Sequence, residues 1–101
     1  MGSLLPATAA PATGERFEAV LMHRNLVIEQ ILSGRNDTPQ AYLQDHDEWV
    51  FVLAGGAVMS VGDERLTLGP GQWAFLPARV PHAVLETSAG TSWLAVHLRQ
   101  P

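Results

Sequence analysis

Residues 48–61 read EWVFVLAGGAVMSV, two apolar runs on either side of the pair Gly55-Gly56. Aromatic and β-branched residues dominate the first run, as is typical of β-strands. A glycine pair between two such runs indicates the tight turn of a β-hairpin. We therefore expect an antiparallel hairpin at the centre of the chain.

The same pattern of short apolar runs and turn residues continues toward both ends of the chain. Eight runs are expected to be strands, at residues 16–22, 26–32, 48–54, 57–61, 65–68, 72–76, 82–87 and 91–98. No segment has the length and period of an amphipathic helix. Short strands in so small a chain predict an all-β barrel or sandwich, because an open sheet would leave two edges and a bare face.

The chain has 101 residues, enough for one core but not for two domains. Residues 1–14 are rich in Ala, Pro, Thr and Gly and lack an apolar period. We interpret residues 1–14 as a flexible N-terminal arm that ends along a strand edge. Residues 15–101 are then a single β-barrel domain.

The composition excludes several kinds of chemistry. The chain contains no Cys and no Lys, so thiolate nucleophiles, disulfides, Schiff bases and a phosphate-loop lysine are absent. The net charge is −4 and the arginines are dispersed, so we expect no nucleic-acid partner. We also expect no membrane partner and a cytoplasmic location, since no apolar stretch approaches the about 20 residues that span a bilayer.

Two segments carry candidate chemistry. Tyr42, Gln44, His46 and Glu48 share one face if residues 42–48 are extended. The alternative is a solvated acidic loop.

The second segment is the rigid turn of residues 77–81, which is followed by His82 at the start of an apolar strand. A histidine on such a fixed backbone suits a metal ligand or a general base. The alternative is a histidine that only caps its strand.

Two spacings resemble the motifs of the cupin superfamily, usually written G-x5-H-x-H-x3/4-E-x6-G and G-x5-P-x-G-x2-H-x3-N. Glu48 and Gly55 have the spacing of the first motif, and Gly71, Pro77 and His82 have that of the second. The chain is similar to small single-domain bacterial cupins of unassigned activity. The resemblance implies one jelly-roll β-barrel.

In metal-binding cupins, two histidines and the glutamate of the first motif and the histidine of the second hold the ion. Here Tyr42 and Gln44 stand at the two histidine positions, so only Glu48 and His82 carry over directly. The resemblance implies a divalent metal (Fe, Mn, Ni or Zn) at the barrel mouth, with Glu48, His82, Gln44 and His46 as candidate ligands. Tyr42 and His46 are the candidates for proton transfer.

The expected function is to bind a divalent metal and to act on or bind a small polar metabolite. As an enzyme, the protein would be an oxygenase, isomerase or lyase for a small organic acid or sugar-like compound. The alternative is a metal-free binding or sensory module without catalysis. Whether His97 faces inward is open, and His23 is expected at a solvated turn.

Trp49, Phe51 and Leu53 have the parity opposite to that of Glu48 and should lie on the outer face of their strand. An apolar outer face requires a cover, which would be the N-terminal arm or a second copy of the chain. We expect a homodimer in which an arm or strand is exchanged.

Overall fold

The computed structural model describes residues 1–100, which form nine β-strands and one 3-10 turn at Ala7–Ala9. The strands are β1 (Glu15–His23), β2 (Leu26–Ser33), β3 (Gln40–Tyr42), β4 (Asp47–Ala54), β5 (Ala57–Val61), β6 (Glu64–Leu68), β7 (Trp73–Leu76), β8 (His82–Thr87) and β9 (Thr91–Leu98). The ninth strand, β3, was not expected, because three residues are too few to show an alternating pattern. The all-β prediction is confirmed.

The strands form two antiparallel sheets that enclose the core as a jelly-roll sandwich. One sheet has the order β1-β2-β9-β4-β7 and the other the order β3-β8-β5-β6. Val52, Met59, Leu76 and Trp93 are each at most 2% exposed and come from both sheets. The side chains between the sheets therefore form one continuous core.

Strand β4 shows how the alternation of side chains sets the two faces of its sheet. Glu48, Val50 and Val52 are buried between the sheets, whereas Trp49 and Phe51 lie on the outer face. The inward and outward positions along β4 are those predicted from the sequence. It brings the carboxylate of Glu48 to the inner face.

The outer face of this sheet is aromatic. The rings of Trp49 and Phe51 are stacked with centroids 5.7 Å apart, and Trp73 lies 6.2 Å from Trp49. Trp73 and Phe75 of the edge strand β7 are 58% and 51% exposed. The apolar outer surface expected from the sequence is present.

The N-terminal arm lies against β2 and the chain that follows it. The amide and the carbonyl of Leu5 bond to the side chain of Gln30, at 2.9 and 2.8 Å. A Cβ on Gly34 would overlap the backbone of Pro11 and Ala12, so only glycine fits there. The flexibility of the arm stays a prediction. In residues 1–100, no helix has the length and apolarity needed to cross a membrane.

Candidate functional site

A cavity of about 70 Å³ lies between the two sheets. Its apolar wall includes Val50, Met59, Leu76 and Trp93. Its polar and charged lining residues are Glu15, Glu29, Tyr42, Gln44, Glu48, His82 and His97. The cavity therefore combines an apolar wall with several polar groups, as small-molecule sites usually do.

His97 lies at the centre of the polar cluster. It pairs with Glu48 across β9 and β4 and is 6% exposed, so its side chain faces inward. Its Nε2 lies 2.9 Å from Glu29 Oε1, and its Nδ1 lies 2.9 Å from His46 Nε2 and 3.7 Å from Glu48 Oε1. The orientation that the sequence left open is thus settled by the register of β9 between β2 and β4.

The surroundings shift the pKa values of His97, Glu48 and His46. The hydrogen bond with Glu29 raises the pKa of His97, which opposes the effect of its burial. Burial raises the pKa of Glu48. Burial, and then the neighbouring His97, lower the pKa of His46. The lowered pKa favours the neutral form of His46, which is the form that a metal ligand needs.

The geometry of this cluster fits a metal ion. Ligand atoms of His46, Glu48 and His97 all lie within 4.8 Å of one another. Two ligand atoms of a tetrahedral ion lie about 3.4 Å apart when each bond is about 2.1 Å long. This value falls between the distances from His97 Nδ1 to His46 Nε2, 2.9 Å, and to Glu48 Oε1, 3.7 Å. An Nε2–H donated to Glu29 leaves Nδ1 with a lone pair for the ion, as in carboxylate–histidine–metal arrangements.

The opposite wall of the cavity holds Tyr42 and His82. The two residues pair between β3 and β8, and their rings are stacked with centroids 5.4 Å apart. Burial, followed by Glu15 and Glu48, raises the pKa of Tyr42, so its hydroxyl stays a donor. Burial lowers the pKa of His82. Tyr42 is thus a weak metal ligand, because a ligand must lose its proton.

Two buried polar atoms on this side lack a hydrogen-bond partner in the described part of the chain. They are Oε1 of Gln44 and Nδ1 of His82, and both residues line the cavity. Buried polar atoms are normally satisfied. These atoms are therefore candidates for contact with a bound molecule or water.

The structure brings most of the sequence-predicted site residues together. Tyr42, Gln44, Glu48 and His82 line the same cavity. His46 lies beside His97 instead, because residues 43–46 are not part of a strand and a bend at residues 45–46 interrupts the extended segment. The roles assigned to these residues in metal binding and catalysis stay predictions. His23 is exposed, as expected.

Two antiparallel sheets with a polar cavity between them define a small jelly-roll protein. The model of the Cupin domain family matches residues 27–97. The chain belongs to this family. Comparison with proteins of curated function finds no match.

Three solved structures illustrate the relationship. A Ralstonia eutropha protein described as a candidate mannose-6-phosphate isomerase is 32% identical, with a TM-score of 0.84 over 98% of this chain and 100% of that chain. A Thermus thermophilus protein is 27% identical, with a TM-score of 0.68 over 86% and 85%. An RmlC-like cupin from Shewanella frigidimarina is 17% identical, with a TM-score of 0.73 over 86% and 78%, and supports the fold alone.

Proposed function

We propose that this protein is a small cupin that holds a divalent metal ion through His46, Glu48 and His97 and binds or acts on a small polar metabolite in the adjoining cavity. The observation that carries the proposal is the convergence of two imidazoles and one carboxylate within 4.8 Å. Two nitrogens and one oxygen with open positions suit Fe, Mn, Ni or Zn. A bound ion would act as a Lewis acid toward a substrate oxygen or nitrogen.

The remaining cavity residues contact the metabolite in this proposal. The Tyr42 hydroxyl donates a hydrogen bond, since its raised pKa keeps it protonated. His82 has a lowered pKa, and its neutral ring accepts or donates a proton. The assignment of His82 and Gln44 to the ion, which the cupin motif implies, stays a prediction, and the His82→Ala variant separates the two ligand sets.

One observation favours the metal-free alternative, a binding or sensory module. Both ring nitrogens of His97 already have partners, Glu29 and His46. A protonated His97 beside Glu29 and Glu48 would balance buried carboxylate charge without an ion. The two functions differ in a single measurable quantity, the affinity for metal.

The experiment is a calorimetric titration with Zn²⁺ and Co²⁺ of protein purified without a metal column. We expect about one ion per chain, and a loss of affinity of more than about 100-fold in His97→Ala and in His46→Ala, since even outer partners of a ligand contribute 10- to 100-fold. His23→Ala, at an exposed position, is the control. Circular dichroism checks that each variant is folded.

The outcomes discriminate between the ligand sets. His82→Ala retains metal affinity if our ligand set is correct and loses it if the motif position binds the ion. Wild-type affinity in both His46→Ala and His97→Ala would contradict the proposal. Absence of metal binding by the wild type would favour the metal-free module.

Isomerisation of a sugar phosphate is a second candidate, drawn from the description of the Ralstonia relative. Such a substrate needs a cationic partner for its phosphate. Within residues 1–100, the cavity lining contains no arginine or lysine. We therefore place this activity below the general proposal.

We also propose that the protein is a homodimer. Support comes from the aromatic outer face, where Trp49 and Phe51 are only half-buried and Trp73 and Phe75 are exposed. A contiguous apolar patch of this kind on a soluble domain marks an interaction site. A second copy presents the same patch in a two-fold arrangement.

A further inference from the structure

The charged groups that line the cavity carry mainly one sign. Glu15, Glu29 and Glu48 all line it. Within residues 1–100, the lining contains no arginine or lysine. The cavity therefore presents three carboxyl groups and no permanent cation to a ligand.

The arginines of the chain lie outside this lining. Arg99 follows β9 and is exposed, and its positive charge lowers the pKa of His46 and of His97. Arg16 bonds to Glu18 at 2.7 Å, and Arg79 is exposed. An anionic ligand in the cavity would thus face carboxylates, without the charge-assisted donors that hold phosphates and carboxylates.

The groups that face the cavity include several acceptors, beside the donating hydroxyl of Tyr42. Buried Gln44 Oε1 is an acceptor without a partner in residues 1–100, so it matches a ligand that donates. Glu15 receives one hydrogen bond, from Ser33 Oγ at 2.8 Å, and keeps a second carboxylate oxygen. Tyr42 lines the same space, and an aromatic ring attracts a cation.

His82 gives an independent sign of a ligand. It is 6% exposed, lines the cavity, and its Nδ1 has no partner in the described residues. A cavity of about 70 Å³ suits a small ligand.

We infer that the cavity takes a small organic cation, a primary amine, and rejects phosphates and carboxylates. The inference rests on the proposed binding function and names its ligand class. The ammonium lies between Glu15 and Gln44 Oε1 and against Tyr42, where it donates to Gln44 Oε1 and to the second carboxylate oxygen of Glu15. This ligand class differs from the small organic acid or sugar-like compound expected from the sequence, which stays a prediction.

The test uses three compounds of nearly the same size, 3-amino-1-propanol, 1,3-propanediol and 3-hydroxypropanoate. Each is titrated by calorimetry into metal-free protein, because a bound Zn²⁺ would itself take up an amine or a carboxylate. We expect millimolar or tighter binding of the amine, at least about 10-fold weaker binding of the diol, and no binding of the acid. Glu15→Gln should weaken amine binding about 10-fold and leave the diol unchanged, since Gln keeps the acceptor for Ser33 but removes the charge.

The matched control is Glu18→Gln, on the same strand but bonded to Arg16 and partly exposed. It should bind the amine like the wild type. Binding of the acid as tight as that of the amine, or no heat from the amine at about 10 mM, would overturn the inference. Amine preference in a protein that binds no metal would refute the metal proposal alone, and metal binding with a preference for the acid would refute the inference alone.

Discussion

At the scale of the residue, His97 shows what the sequence does not reveal. Leu94, Val96 and Leu98 form an apolar row that faces outward, while Trp93 and Ala95 share the inner face with His97. Because both faces of this sheet are apolar, hydrophobic alternation cannot tell which face is inside. Glu48 and His82 were predictable from motif spacing, whereas Glu29 and His97 meet only through the register of β2, β9 and β4.

Glu29 gives a residue-scale prediction as a positioning residue. It fixes the tautomer of His97 by accepting its Nε2–H, so Glu29→Gln should weaken Zn²⁺ or Co²⁺ binding by about 10- to 100-fold. Calorimetric titration measures the change, and Glu64→Gln, at an exposed position, serves as the control. Equal affinity in Glu29→Gln and the wild type would show that Glu29 does not orient His97.

At the scale of the element, the turns explain why the two motif glycines are where they are. Gly55 has φ +81°, and a Cβ there would lie 2.6 Å from Thr91 Cα. The Thr91 hydroxyl bonds both the amide and the carbonyl of Gly56 at 3.1 Å. Gly71 has φ +84°, but open space surrounds its Cα. The hairpin was predictable from the glycine pair, but its close contact with Thr91 was not, since the two segments are distant in sequence.

These two glycines form a matched pair for a stability prediction. Gly71→Ala should cost about 1 kcal/mol of unfolding free energy, the strain of a left-handed backbone at a non-glycine residue. Gly55→Ala should cost about 3 kcal/mol, because the methyl group must also displace the backbone of Thr91. Urea unfolding monitored by circular dichroism compares the two variants. Equal losses would mean that the approach of Thr91 contributes nothing.

At the scale of the whole molecule, the sequence predicted the all-β sandwich from strand spacing, and the apolar outer face from the parity of β4. The cytoplasmic location and the absence of a nucleic-acid partner stay predictions. The oligomeric state depends on the surfaces of two chains. The alternation of side chains along β4 therefore predicts an apolar outer face but does not say what covers that face. The arm does not settle this, because the backbone of Leu5 bonds the Gln30 side chain on β2 while Trp73 and Phe75 on β7 stay exposed.

The dimer proposal leads to a prediction about mass in solution. Trp49→Glu places a charge at the centre of the aromatic face and should convert a dimer into a folded monomer, measured by light scattering. Leu43→Glu, exposed on the connection between β3 and β4, should leave the mass unchanged. A folded Trp49→Glu protein with the mass of the wild type would remove this face from the interface.

The positions of the three tryptophans have a practical consequence. Trp49 and Trp73 lie together on the outer face, whereas Trp93 lines the cavity and its indole N–H bonds Ser33 Oγ at 3.0 Å. Indole emission depends on the polarity around the ring and on nearby quenchers. A chain in which both outer tryptophans are phenylalanine would keep one fluorophore, in the cavity wall, and its emission would report ligand entry without any attached dye.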